Sequence, residues 1–179
     1  VQDRKSYDKD EYPLGIYTRE YYRTEAQFAP SKLESLAVID KSKLTESEKI
    51  SAELMRFRLK ETVDVFEFDA FLNPLLSDAG FHVSLPYHVR ELANYTQVKA
   101  YLNKLNAIPR YVDQHLALLR EGIYKGITQP AVIFKGYEAT YNDQIVDDHR
   151  DSYYYTPFKN LPSGLSETHR DSVLDAAED

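Results

Sequence analysis

The stretch Arg120-Glu121-Gly122-Ile123-Tyr124-Lys125-Gly126-Ile127-Thr128-Gln129-Pro130 decides between two folds. Two glycines with a lysine between them and a threonine just after suggest a phosphate cradle in an α/β protein. The same residues suit a junction between two helices. A Walker-type loop has four residues between its glycines and places Lys-Ser/Thr directly after the second. Here three residues separate Gly122 from Gly126, the lysine lies inside, and Ile127 follows. Upstream, Val98, Tyr101, Leu102, Leu105 and Ile108, then Val112, Leu116 and Leu119, recur at helical spacing rather than as a buried strand. Gly122 or Gly126 therefore takes the left-handed position that ends a helix, and Pro130 starts the next. Pro109 lies inside the stripe. It lacks an amide donor and crowds the preceding turn, which predicts a kink or two helices meeting there.

Outward from this junction the signals stay helical. Thr45-Glu46-Ser47-Glu48 is a capping box, and Ile50, Leu54, Met55, Phe57, Leu59 and Phe66 follow at helical spacing. That predicts a helix from Thr45 to about residue 71, closed by Asn73-Pro74. Ser31 to Val38 reads as a short helix, with Leu33, Leu36 and Ala37 inward. Thr96 serves as N-cap for the stripe that begins at Val98. Val132, Ile133, Tyr137 and Tyr141 suggest a helix after Pro130, residues 147–164 read as loop, and Ser166-Glu167 opens a last helix. Residues 1–30 read as an extended lead-in and 31–179 as a helical region. No alternating run or Asn-Gly hairpin turn stands out. The fold class is mainly α, an irregular array with kinked long helices.

Composition narrows the partners. With 22 basic against 29 acidic residues the net charge is −7, which disfavours nucleic acid or an anionic membrane. The chain has no cysteine, which excludes a disulfide framework, a thiol nucleophile and a thiolate zinc site. No apolar run approaches the roughly 20 residues that span a bilayer. Fifteen tyrosines against six glycines favour half-buried surfaces with wet polar tips over glycine-rich loops.

No catalytic constellation emerges from the residues themselves. His82 and His88 are six apart, which neither a helix face nor a strand face brings together, and no His-Glu-x-x-His occurs. His82, Tyr87 and His88 are the candidate pocket residues, set in an irregular segment. His149-Arg150-Asp151 and His169-Arg170-Asp171 lack the asparagine of a kinase catalytic loop, since Thr156 and Ala176 stand in its place. Asp147-Asp148-His149 could hold a divalent cation, but charge runs are usually solvated surface. Neither a catalytic residue nor a metal ligand is assigned.

Leu102-Asn103-Lys104-Leu105, Ile108-Pro109-Arg110-Tyr111 and Leu118-Leu119-Arg120-Glu121-Gly122, with Gly126 and Pro130, resemble a bacterial family long catalogued as domain of unknown function 885. Asn73-Pro74-Leu75, Gly80 and Leu85-Pro86 upstream, and Tyr155-Thr156-Pro157-Phe158 downstream, are similar to its flanking segments. Lys104 and Ala131 stand where that pattern has arginine. The resemblance implies an α-helical zinc-metallopeptidase-like protein of several hundred residues, often an exported lipoprotein, whose His-Glu…His zinc site lies C-terminal to the part seen here. This chain would then be an N-terminal lobe, incomplete at its C-terminus, with the remainder of its own polypeptide as partner, a peptide as substrate, and zinc in the full-length parent. Its location would be the periplasm or the outer membrane by a lipid anchor, with the cytoplasm as the alternative. A stand-alone helical binding or scaffold lipoprotein module is the other function to weigh.

Overall fold

A computed structural model describes residues 8–75 and 79–178. The described residues form six α-helices joined by short 3-10 turns and contain no strand, only an isolated bridge between Leu75 and Gly80. The fold is mainly α. The helices are α1 (Arg19–Ala37), α2 (Glu46–Glu67), α3 (Tyr95–Tyr124), α4 (Ala139–Asn142), α5 (Thr156–Lys159) and α6 (Glu167–Glu178). None is long and apolar enough to cross a membrane.

The chain divides into two compact units, described separately below. One comprises Ile16–Pro74 with Gln114–Ile127, and the other Asp8–Gly15, Leu75–Asp113 and the residues from Thr128 on. Along α3, residues 95–113 thus belong to the second unit and 114–124 to the first.

In the first unit, α1 and α2 pack as a helical hairpin. The helix α1 begins at Arg19, and no extended lead-in continues to residue 30. Thr18 caps it by accepting the Tyr21 amide at 3.2 Å, and Pro30 lies within the helix. The helix α2 opens on the expected box: the Glu48 amide donates to the Thr45 hydroxyl, and the Glu48 carboxylate accepts from the Thr45 amide at 2.7 Å. It stops at Glu67, four residues early, because Asp69 adopts a left-handed φ of 53°. The core joins Phe71, Leu72 and Leu118 to Tyr17, Tyr22, Val65, Phe66 and Ile127. Phe71 stacks on Tyr22 at 4.7 Å and on Phe66 at 5.7 Å.

The stretch that decided the fold lies in this unit. Gly126 has φ +74°, its amide donates to the Ile123 carbonyl at 3.1 Å, and the Ile127 amide donates to Gly122 at 2.8 Å. Those two bonds make a Schellman motif, so Gly126 is the glycine that ends the helix. Gly122 has a different task. A Cβ there would lie 2.7 Å from the Leu72 carbonyl oxygen, so the bare backbone is what lets α3 approach that segment.

In the second unit, Leu92, Val98, Tyr101, Phe158 and Val173 form the core. The Tyr101 hydroxyl donates to the Tyr154 carbonyl at 2.8 Å. The start of α3 is capped by Asn94, not Thr96, with the Asn94 carboxamide oxygen accepting the Gln97 amide at 3.0 Å. The helix runs through Pro109 as one element of 30 residues, so no pair of helices meets there. Residues 8–12 are held rather than loose: Asn103 donates to the Asp10 carbonyl at 2.7 Å, Arg110 donates to the Glu11 carbonyl, and its guanidinium lies 4.3 Å from the Tyr12 ring centroid. Residues 1–7 of the expected lead-in lie outside the described residues.

After Pro130 the expected single helix is replaced by a 3-10 turn, Ala131–Phe134, and the one-turn α4. Gly136, at φ +77°, separates them. Residues 147–164 are likewise not all loop, since they hold two 3-10 turns and α5.

Candidate functional site

His82, Tyr87 and His88 are placed by the segment that leads into the 3-10 turn Leu85–His88. Three interactions fix this segment in the second unit. Leu85 is buried, the Ser84 hydroxyl donates to the Phe81 carbonyl at 2.9 Å, and the Tyr111 hydroxyl of α3 donates to the same carbonyl at 2.8 Å.

The His82 imidazole is half-buried among rings. Tyr137 meets it edge-on at 5.2 Å and Tyr141 at 6.2 Å. Its Nε2 lies 2.7 Å from the Thr140 Oγ1, which in turn donates to the Tyr137 carbonyl at 2.6 Å. A hydroxyl carries one proton, and here the carbonyl receives it. Thr140 Oγ1 therefore accepts from His82, the proton resides on Nε2, and Nδ1 is left as a bare acceptor. Burial holds the His82 pKa below its ordinary 6.5, so the neutral imidazole prevails at neutral pH.

His82 opens onto a cavity of about 310 Å³. Val83, Leu85, Pro86 and Ile108 form its apolar wall. Thr140, Tyr141, Gln144 and Tyr154 add polar tips, and no Lys, Arg, Asp or Glu is among its described lining residues. The size falls at the lower end of small-molecule sites, roughly 300–1,000 Å³.

The other two candidates do not join His82 there. Tyr87 is 85% exposed and is not among the described lining residues. His88 Nδ1 lies 3.2 Å from the Lys104 ammonium. Burial first, then the charges of Lys104 and Arg90, push the His88 pKa down, and burial with Arg90 pushes Lys104 down as well. Conversely, Thr140, Gln144 and Tyr154 escape a sequence reading. They lie 58 to 72 residues from His82, and nothing local marks them.

Two other parts of the molecule gather polar groups. A concavity of about 680 Å³ runs along the start of α3, lined by Asp10, Tyr95, Lys99 and Asn103. Its Asn103 amide is committed to the Asp10 carbonyl, and its Lys99 ammonium lies 5.9 Å from the Tyr95 ring centroid. In the first unit, Arg19 pairs with Asp69 at 3.3 Å and with Glu121, while Lys125 pairs with Asp69 at 2.8 Å and Glu121 at 3.3 Å. Two cations and two carboxylates compensate each other, which makes a clamp between chain segments rather than a binding site. The Lys125 hydrogen bond holds the Asp69 carboxyl below its ordinary pKa.

Among the described residues no group of three His, Cys, Asp or Glu could hold a metal ion. At Asp147-Asp148-His149, the Asp148 carboxylate is occupied with the Arg150 amide at 2.9 Å, capping a 3-10 turn. The described residues thus supply no zinc site of their own.

The α2 face carries the largest surprise in burial. Ile50, Leu54 and Phe57, one helical stripe, are 62%, 61% and 64% exposed, and Met55 beside them is 56% exposed. The periodicity that predicts this helix is real, yet no described segment covers the stripe.

The family model described as bacterial protein of unknown function (DUF885) matches residues 4–179. No curated protein and no solved structure matches the chain.

Proposed function

The chain belongs to this family of bacterial proteins, and on that premise we propose that it is the helical, substrate-contacting portion of a zinc-dependent peptidase-like hydrolase. The observation that supports the reading is the His82 cavity: an apolar, side-chain-sized recess with a few convergent polar groups on a helical wall. On this reading the chain supplies recognition, and the metal motif lies outside the described residues. The uncovered α2 stripe fits a portion that docks against further polypeptide. The protein would act in the periplasm or from a lipid anchor on the outer membrane, on peptides.

The experiment is metal analysis and peptide-cleavage profiling of the longest natural product of the gene. Stoichiometric zinc together with cleavage of short peptides supports the reading; neither zinc nor cleavage sinks it.

A second reading, a free-standing helical binding or scaffold module, is favoured by the buried core that each compact unit possesses. It expects residues 1–179 alone to be monodisperse in sedimentation velocity at high concentration. The hydrolase reading expects self-association or precipitation of the same chain through the α2 stripe.

A further inference from the structure

We propose that the His82 cavity binds an uncharged aromatic ring carrying one N–H or O–H donor, and that His82 Nδ1 accepts that donor. This rests on the reading of the cavity as a substrate contact, though not on catalysis.

The lining decides the charge of the occupant. Among the described lining residues no carboxylate is present to pair an ammonium and no Lys or Arg to pair an anion, so an uncharged group is the occupant that needs no counter-charge. The walls decide its shape. Val83, Leu85, Pro86 and Ile108 offer apolar surface, and the rings of Tyr141, Tyr154 and His82 offer edges and faces for a planar group. About 310 Å³ admits one ring system with little room for a chain of residues.

The His82 tautomer decides the polarity. Thr140 Oγ1 gives its proton to the Tyr137 carbonyl and so takes the proton of Nε2, which leaves Nδ1 as an acceptor. Among the described residues Nδ1 has no hydrogen-bond partner. A ligand that brings a donor satisfies it, and one that brings only acceptors does not.

The ring could be a free small molecule or the side chain of a peptide. Both present the same chemistry, and the test separates them. The longest natural product of the gene is titrated by calorimetry with indole, N-methylindole, benzylamine and N-acetyltryptophanamide. The expected order places indole ahead of N-methylindole by roughly tenfold, the worth of one hydrogen bond, and benzylamine weakest. Tighter binding of N-acetyltryptophanamide than of indole assigns the site to a peptide side chain, and the reverse to a free molecule.

Two cavity-filling variants, Ile108→Trp and Gln144→Trp, are expected to abolish indole binding. Gln144 is exposed, so that variant keeps its fold even if the Ile108 change does not. In His82→Leu the preference for indole over N-methylindole should vanish while weak binding of both remains. Absence of indole binding, unaltered binding in Gln144→Trp, or a preference for benzylamine would each overturn the proposal. None of these readouts involves peptide cleavage, so a failed binding site and a failed hydrolase reading give different results.

Discussion

Gly122 and the Leu72 carbonyl meet so closely that a single methyl group on Gly122 would stand 2.7 Å from the oxygen. The obstacle is backbone, which cannot rotate away as a side chain would. Gly122→Ala gains helix propensity of about 1 kcal/mol but incurs an overpacking cost of up to about 3 kcal/mol. The expected outcome is a net loss of about 1–2 kcal/mol in urea unfolding. Gly126→Ala meets no atom within 4 Å, and its φ of +74° alone makes it costly, by about 1 kcal/mol. Equal stability of either variant with the parent chain would contradict the roles given to these glycines.

Thr45→Ala removes the acceptor of the Glu48 amide and half of the capping box. A loss of about 1 kcal/mol is expected, read as a lower midpoint in chemical denaturation. Thr45→Ser, which retains the hydroxyl, should stay near the parent value.

Asp69 combines a left-handed backbone with ion pairs to Arg19 and Lys125. Asparagine tolerates that backbone and loses only the charge, whereas alanine loses both. Asp69→Ala should therefore unfold more readily than Asp69→Asn, by about 1 kcal/mol. The Lys125 hydrogen bond lowers the folded pKa of Asp69 below its ordinary 3.8. The stabilisation is thus complete above about pH 4 and is lost as pH falls through the folded value. Melting curves between pH 2 and 5 should show a shallower acid limb for Asp69→Asn.

His82 acts in the same direction, at higher pH. Burial lowers its folded pKa below 6.5, so the folded state favours the neutral ring. Its contribution is complete above that value and declines as pH drops from 6.5 toward the folded pKa, because the unfolded chain takes up the proton first. His82→Leu should flatten this part of the stability profile, measured by urea unfolding from pH 7.5 to 5.

Leu54→Glu and Phe57→Glu alter residues that are 61% and 64% exposed and should leave the melting temperature of the monomer nearly unchanged. They should weaken any self-association seen by sedimentation. Unfolding of these variants would show that the α2 stripe is internal.

Legibility followed the range of the interactions. The Thr45–Glu48 box and the Gly126 cap each close within five residues, so their chemistry is written in adjacent letters. Leu33, Leu36 and Ala37 report only the end of α1, whereas Thr18 supplies the cap that sets its true start. Asn94 and Thr96 are both fair caps by residue type, and only the placement of the Gln97 amide decides between them. Helical periodicity groups Ile50, Leu54 and Phe57 on one face but carries no information about whether anything lies over it. The candidate site was the least legible part. His82 could be named as a pocket residue, but its tautomer depends on Thr140, 58 positions away. His88 and Tyr87, its neighbours in sequence, turn to Lys104 and to solvent.

The segmentation of the first unit also bears on how the protein is made. Its core needs Leu118 and Ile127 as well as Phe71 and Leu72, and the chain leaves the unit after Pro74 and returns only at Gln114. During synthesis the α1–α2 hairpin must therefore wait for some fifty more residues before Leu118 and Ile127 emerge. At about 5–20 residues per second, that interval lasts several seconds. Through it Tyr22, Phe66 and Phe71 lack the cover that Leu118 and Ile127 provide.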